Sequence, residues 1–216
     1  MRLSGFVCAL FLVACGGEHV QQAIVRSPTV AATHADPSPN APSRGGGSGA
    51  RWLVTPAHTR LEIHGWGPLV GEQVFTFRRF RANVSTSGDS ASFRAELATA
   101  SLEGGLPGVG AFARERLLEV DAYPRATFEG VARRTSGVDA CTVTGTLSLH
   151  GVTRELVFDG RIEESADSIR FEAAFDLSRQ DFDVGLHDAW DAFVPNRVRV
   201  VLDVRAEREH VWAEEL

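Results

Sequence analysis

The segment from Cys141 to Ile162 alternates apolar and polar residues in two runs, and this pattern restricts the chain to a β-rich fold. In the first run every second residue from Cys141 to Leu149 falls on one face, with threonines and a serine between them. The alternation resumes from Leu156 to Ile162. A period of two residues is typical of a strand with one buried face. Because Gly151 can adopt the positive φ of a tight reversal, the segment is predicted to be a β-hairpin.

Similar alternating runs predict about eight or nine strands between residues 51 and 209, mostly at short spacing. After Phe77, Arg79 and Arg81 continue the inward parity, which predicts that this strand leaves the core there. One short helix is predicted over residues 109–120, because its apolar residues form a single stripe. The inward positions of the predicted strands outside the hairpin are Leu61, Ile63, Phe75, Phe77, Phe93, Ala95, Leu97, Ala126, Phe128, Ile169, Phe171, Ala173, Phe175, Leu177, Val198, Val200, Leu202 and Val204.

This number of amphipathic antiparallel strands predicts a closed barrel or a sandwich, since open sheet edges promote aggregation. A barrel of about eight strands has room for its own side chains or for one slender ligand. Bulky phenylalanines and the small residues Ala95, Ala173, Gly145 and Gly160 share the inward positions. That mixture is compatible with a cavity and also with a filled core.

The first residues have the pattern of an export signal. Arg2 supplies a positive charge, and residues 3–14 are apolar but too few to span a bilayer as a helix. The sequence from Leu12 to Cys15 resembles the bacterial lipobox, which implies cleavage before Cys15 and attachment of lipid to this cysteine. Gly16 then favours sorting to the outer membrane. The alternative is an ordinary secretory signal, with Cys15 unmodified.

Residues 15–50 show no sustained period and are predicted to be a disordered tether. Four prolines and the glycine-rich run of residues 45–49 give an extended part and a flexible part. With Cys8 removed and Cys15 lipidated, Cys141 is the single cysteine left, so no internal disulfide is predicted. Its inward parity predicts a buried core thiol.

The formal net charge of −6 argues against nucleic acid as a partner and against attachment to anionic lipid through a basic patch. The short basic run of Arg78, Arg79 and Arg81 has two interpretations. It could meet a lipid head group at the rim of a barrel, or it could be a solvated strand end.

Candidate catalytic and metal-binding residues do not form a recognised motif. The histidines His58, His64, His150 and His187 lack a compact HxH or HxxxH spacing. Structural hydrogen bonding is expected for the first two, and capping of the hairpin turn for His150. Four aspartates between residues 181 and 191 could be an acid–base pair or a cation loop, but they match no calcium-loop template and are interpreted as a solvated connection. We therefore predict no enzyme activity and no metal site.

Several motifs together resemble the YceI family of periplasmic, lipocalin-like β-barrels, over nearly all of residues 51–207. They are Trp52 with residues 56–58, residues 63–65, residues 70–75, the Asp-Ala-Tyr-Pro segment of residues 121–128, the hairpin sequence of residues 145–154 and residues 177–182. The resemblance implies an all-β, antiparallel, lipocalin-like barrel that holds a long isoprenoid, such as a polyprenyl lipid or an isoprenoid quinone tail. The lipobox, the tether and the sequence of residues 104–110 depart from the family pattern.

The resulting prediction is a signal peptide (1–14), a tether (15–50) and a YceI-like barrel (51–209). The barrel is expected to bind or carry an isoprenoid at the cell envelope, on the outer membrane and facing the periplasm, with no other cofactor. The alternative is a ligand-free scaffold or protein-interaction barrel, and a homodimer is left open. The residues predicted to line the ligand cavity are Phe75, Phe77, Phe93, Phe128, Leu147, Leu149, Phe158, Phe171, Phe175 and Leu202.

Overall fold

The computed structural model describes residues 21–26, 50–54, 56–67, 70–135 and 139–209. Residues 1–20, which include the predicted signal peptide and Cys15, lie outside this range. The strands are β1 (Gln21–Gln22), β2 (Ile24–Arg26), β3 (Ala50–Val54), β4 (Arg60–Gly67), β5 (Gly71–Phe77), β6 (Phe80–Ser87), β7 (Ser90–Ala98), β8 (Leu102–Gly104), β9 (Arg125–Arg134), β10 (Ala140–Leu149), β11 (Val152–Glu164), β12 (Ser168–Ser178) and β13 (Arg197–Arg208).

From Ala50 onwards these segments form a closed, antiparallel barrel of eight strands. Both β3 and β4 pair with β13, so they are two halves of one barrel strand. In the same way β5 and β6 form the second strand, and β7 and β8 the third. β9 to β13 complete the circle. The predicted all-β barrel is confirmed, and closure leaves few free edges in the wall.

The central hairpin is confirmed in detail. β10 and β11 pair continuously from Ala140 opposite Arg161 to Leu149 opposite Val152. The two turn residues, His150 and Gly151, have φ values of 51° and 76°. Positive φ at both central positions matches a type I′ turn, whose twist suits the flanking strands.

The prediction for the strand after Phe77 was wrong. The chain bends at Arg78 and Arg79, where Arg78 N–H donates to Ser101 O and Ala98 N–H donates to Arg79 O. The bend shifts the parity of β6 relative to β5, so Phe80 and Ala82 point inwards while Arg81 faces outwards. The strand therefore continues along the barrel wall.

The helix is shorter than predicted. An α-helical turn, α1 (Val109–Phe112), leads into a π-helical turn over Ala113–Leu117. Glu119 then adopts a φ of 43°, which ends the helix before Val120. Ala113 is buried, and the helix packs over the part of the barrel next to β8. No helix among the described residues is long and apolar enough to cross a membrane.

Residues 21–26 correct part of the predicted tether, because they belong to the barrel wall. β11 and β12 pair with each other only from Arg161 opposite Glu172 to Glu164 opposite Ile169. Residues 152–160 of β11 and residues 173–178 of β12 are therefore separated by a gap. β1 pairs in parallel with β12, and β2 pairs antiparallel with β11, so the segment fills the gap. Ala23 is 5% exposed and belongs to the main core cluster. The remainder of residues 15–49 lies outside the described part of the chain.

Ala23→Arg is expected to detach this segment and to lower the free energy of unfolding by about 2 kcal/mol, because it places a charge in a buried site. Limited proteolysis should then cleave between residues 21 and 26, and urea unfolding should measure the lost stability. Ile24 is 57% exposed, which makes Ile24→Arg the matched control. If both variants resist the protease equally, the attachment of this segment to the barrel wall does not depend on the burial of Ala23.

The end of the barrel opposite the helix is closed by packed side chains. Trp52 is 1% exposed, and its indole N–H donates to Thr86 Oγ1 at 3.1 Å. The Arg208 guanidinium lies over the Trp52 ring, 5.1 Å from its centre. Cys141 is buried as predicted, and burial raises the pKa of its thiol. This end therefore seals the interior.

Candidate functional site: an apolar barrel cavity

The interior of the barrel is hollow. Its cavity has a volume of about 680 Å³, within the range of about 300–1,000 Å³ that is usual for small-molecule sites. All ten residues predicted to line a ligand cavity do line this one: Phe75, Phe77, Phe93, Phe128, Leu147, Leu149, Phe158, Phe171, Phe175 and Leu202. Their inward direction follows directly from the alternation of their strands.

Aromatic rings form a connected layer on one side of the cavity. Phe93 stacks on Phe128 with 5.5 Å between ring centres, and Phe128 lies 6.1 Å from Phe158. Phe158 in turn stacks on Phe175 at 4.1 Å, behind the gap that residues 21–26 fill. A Cβ on Gly145 would lie 2.5 Å from Glu129 O of the neighbouring strand and 2.6 Å from the Phe128 ring. Glycine is thus required by the close approach of the strand and of the aromatic ring, and it does not create free volume.

The opening of the cavity was missed by sequence reasoning. Three segments surround it: the β4–β5 hairpin, residues 104–118 with α1, and the loop from β12 to β13. Lining residues in these segments include Trp66, Val70, Phe112 and Phe193. Trp66 lies near the end of β4, where its parity is outward, and the others lie in turns and short helices, where no strand period marks the inward positions. Aromatic residues within glycine- and proline-rich sequence were the available signal that these segments surround an opening.

Polar side chains that reach the cavity wall have their hydrogen bonds satisfied by the protein. Among the described lining residues, and apart from the Trp66 indole, these side chains belong to Gln73 and Arg179. Gln73 donates to Val70 O and Glu72 O, and it accepts from Leu106 N–H at 2.8 Å. Gln73 thereby ties the β4–β5 hairpin to the loop before α1.

Arg179 organises the loop from β12 to β13. It is 5% exposed, and its nitrogens donate to the carbonyl oxygens of Val184, Asp191, Val194 and Pro195 at 2.6–3.1 Å. Nη1 also lies 2.9 Å from Asp191 Oδ1. The Arg179 hydrogen bond holds the pKa of the Asp191 carboxyl below its usual range. Since the guanidinium is used within the loop, it has a structural role at the opening.

Acid is expected to weaken this loop. The pKa of Asp191 is lower in the folded protein than in the unfolded chain, where it is about 3.9. The stabilisation that ionised Asp191 gives the fold is therefore present above pH 3.9 and is lost as the pH falls through the folded pKa. Urea unfolding between neutral pH and about pH 3 should show this loss. Asp191→Asn should flatten the dependence, and the slope that remains includes Asp203, whose pKa is lowered by Arg170. An unchanged slope in the variant would contradict the assignment.

Three of the motifs that carry the family resemblance, in residues 121–128, 145–154 and 177–182, meet at the open end of the barrel. The Tyr123 ring packs against His150 with 4.0 Å between centres, and its Cε1 lies 3.0 Å from the position of a Cβ on Gly151. Thr99 Oγ1 donates to Tyr123 O at 2.7 Å. Arg154 Nε donates to Asp181 O at 3.2 Å, which joins the hairpin to the Arg179 loop. These sequences therefore fix one rigid framework around the opening.

The prediction that His150 caps the hairpin turn was wrong. Its side chain is 2% exposed, and neither ring nitrogen has a hydrogen-bond partner among the described residues. Nε2 lies 3.4 Å from Glu119 Oε2 without hydrogen-bond geometry. The ring instead packs between Tyr123 and His187. Its role is packing.

The other candidate polar residues have structural contacts. His64 lies 3.0 Å from Glu72 and 3.3 Å from Glu62, in agreement with the expected hydrogen bonding. Asp188 accepts from Trp190 N–H at 2.8 Å and begins a short helical turn. In the part of the chain that the structure describes, no three His, Cys, Asp or Glu side chains are grouped to hold a metal ion.

The basic run does not lie at the opening. Arg78 donates to Glu103 at 3.1 Å, and Arg81 donates to Glu96 at 3.1 Å, both on the outer surface. Their positions at the bend of the second barrel strand favour the interpretation as solvated side chains. They are not placed to meet a ligand that leaves the cavity through its opening.

Comparison with known proteins agrees with this architecture. The family model described as the YceI-like domain matches residues 52–206. The chain belongs to the YceI-like family. Among curated proteins, none matches the sequence.

Solved structures of similar fold have low sequence identity to this YceI-like chain. The structure of BcnA from Burkholderia cenocepacia is 20% identical, with a TM-score of 0.62, and the match covers 70% of this chain and 98% of BcnA. A polyisoprenoid binding domain from Saccharophagus degradans, implicated in plant cell wall breakdown, is 17% identical with a TM-score of 0.56, covering 75% and 100%. The Campylobacter jejuni YCEI protein is 18% identical with a TM-score of 0.53, covering 63% and 85%. At these identities the likeness concerns the fold.

Proposed function

We propose that this YceI-like barrel binds the chain of a long isoprenoid lipid, of the polyprenyl or isoprenoid-quinone type, in its interior. The observation that carries the proposal is a hollow, apolar cavity whose polar neighbours Gln73 and Arg179 are already satisfied. A cavity of this chemistry favours a hydrocarbon chain over a polar metabolite. The family membership and the polyisoprenoid binding domain of similar fold support the same ligand class.

Burial of the chain supplies the binding energy without a catalytic group. Each buried methylene contributes about 0.8 kcal/mol, so a dozen carbons contribute about 10 kcal/mol. Association and ordering offset about 4–15 kcal/mol of such a total. Affinity therefore depends on the length of chain that is enclosed. The hollow interior also argues against the alternative of a filled, ligand-free scaffold.

Direct analysis of the ligand tests this proposal. Protein purified without detergent should release an isoprenoid into organic solvent, detected by mass spectrometry. Delipidated protein should take up solanesol, a polyprenyl alcohol, in preference to palmitate. A folded protein that releases no isoprenoid and does not take up solanesol would overturn the proposal.

We further propose that the barrel is attached to the cell envelope, on the outer membrane and facing the periplasm, through lipid on Cys15. The lipobox-like sequence that ends at Cys15 supports this location. Cells grown with labelled palmitate should incorporate the label into the protein, and Cys15→Ser should abolish it. Equal labelling of the wild type and Cys15→Ser would contradict the anchor.

A further inference from the structure

Exposed apolar side chains surround the opening of the cavity. They belong to the three segments that form the opening, and each is at least 39% exposed. We call this set the apolar rim: Trp66, Val70, Leu106, Phe112, Trp190 and Phe193. Trp190 and Phe193 pack against each other with 5.6 Å between ring centres. Exposed apolar residues concentrated in this way mark an interaction site.

The apolar rim is continuous with the cavity. Trp66, Val70, Phe112 and Phe193 are exposed on the outside and also line the interior. A surface that covered the rim would therefore connect with the cavity without an intervening layer of water. This connection is what transfer of a hydrocarbon chain requires, because exposure of its methylenes to water is unfavourable.

We infer that the apolar rim docks on the surface of a phospholipid bilayer, with the cavity opening facing the lipid. This inference rests on the proposed function, since an isoprenoid is itself a membrane lipid. Exposed tryptophan and phenylalanine side chains on three separate segments suit the boundary between head groups and acyl chains. The occupant is thus a lipid surface, and the rim is the part of the protein that enters it.

Chain length favours a bilayer as the partner. Cys15, the proposed lipid anchor, precedes Gln21 in the barrel wall by six residues, which span at most about 20 Å. The barrel would then stay beside the membrane. A long tether of residues 15–50 would have allowed it to move away.

Charge at the rim favours docking through apolar contact. Arg116 Nη2 is 4.0 Å from Asp188 Oδ2, so this acidic group beside the rim has a cationic neighbour. The net charge of −6 does not attract the chain to an anionic surface. Docking should therefore occur on phosphatidylcholine alone and should change little with salt.

The test uses the chain of residues 16–216, which lacks Cys15 and retains every described residue. A Trp212→Phe background removes a tryptophan outside the described residues. Since Trp52 is buried, quenching by vesicles of brominated phosphatidylcholine then reports on Trp66 and Trp190. We expect quenching of both and flotation of the protein with the vesicles.

Substitutions at the rim provide a matched comparison. Leu106→Ala with Trp190→Ala removes two exposed side chains that do not line the cavity, and it should lower the floating fraction about tenfold or more. Ile24→Ala with Leu53→Ala removes two exposed side chains elsewhere and should leave flotation unchanged. Three results would overturn the inference: no quenching, binding that requires phosphatidylglycerol and disappears in salt, or a rim variant that changes only self-association in sedimentation.

Solanesol uptake during refolding separates this inference from the proposed function. If the wild-type protein takes up solanesol but does not bind vesicles, the docking surface is contradicted and the proposed ligand still stands. If the protein binds vesicles through the rim but takes up no solanesol, the isoprenoid ligand is contradicted and the membrane contact still stands.

Discussion

Arg179→Ala is expected to lower the free energy of unfolding by about 3–5 kcal/mol, because it removes a buried guanidinium and leaves the partly buried Asp191 carboxylate and several carbonyl groups of the loop without their donor. Four carbonyl oxygens and Asp191 depend on this one guanidinium. Domains of this kind have a total stability of about 5–15 kcal/mol, so the variant should lose a large share of it. Urea unfolding of the purified variant measures the change.

Arg197→Ala is the matched control for this experiment. Arg197 is an arginine of the same region, its side chain is 66% exposed, and it lies 3.6 Å from Asp176. A surface ion pair contributes about 0–1 kcal/mol, so this variant should unfold close to the wild type. Arg179→Lys should be intermediate, since an ammonium group cannot reproduce the planar set of donors. Equal midpoints for Arg179→Ala and Arg197→Ala would show that the loop does not depend on Arg179.

Gly65→Trp should reduce isoprenoid uptake at least about tenfold by filling the cavity, because the enclosed apolar area available to the ligand falls. Gly65 lines the cavity, and a Cβ there would meet only the Phe75 ring, at 3.9 Å. A side chain can therefore enter from this position without a backbone clash. Solanesol uptake, measured by mass spectrometry of the repurified protein, gives the effect.

Stability has to be measured on the same variant, because overpacking can cost about 1–3 kcal/mol. Ser92→Trp is the control, since Ser92 is exposed on β7 and a tryptophan there would lie outside the barrel. The expected result is a folded Gly65→Trp protein with little uptake beside a Ser92→Trp protein with normal uptake. Normal uptake by both would place the ligand outside the cavity.

Much of the wall could be predicted from the sequence, because each inward position is fixed by a period of two. The ten proposed lining residues all occur in such runs, and all line the cavity. The period failed at Arg78 and Arg79, where a bend in the backbone shifts the parity. A bend of this kind depends on pairing with Ser101 and Ala98, which are distant in sequence.

The remainder of the site depends on contacts that have no period. Apart from Trp66 near the end of β4, the apolar rim is contributed by turns and short helices. Arg179 acquires its role only when residues 184–195 fold around it. The wall segment of residues 21–26 is short and is surrounded by sequence without alternation. Its apolar residues Ala23 to Val25 were the available signal, and pairing with β11 and β12 gives them their strand conformation.

Removal of residues 21–26 would leave unpaired strand segments in the barrel wall, to which a second molecule of this protein could pair. A chain that began after Arg26 would leave backbone groups of Glu155 to Val157 and of Phe175 and Asp176 without the partners they have here. Unpaired groups of this kind are a template for a strand from another molecule. Such a shortened barrel would be expected to dimerise or to capture a peptide supplied in solution, and a synthetic peptide of residues 21–26 would restore the monomer.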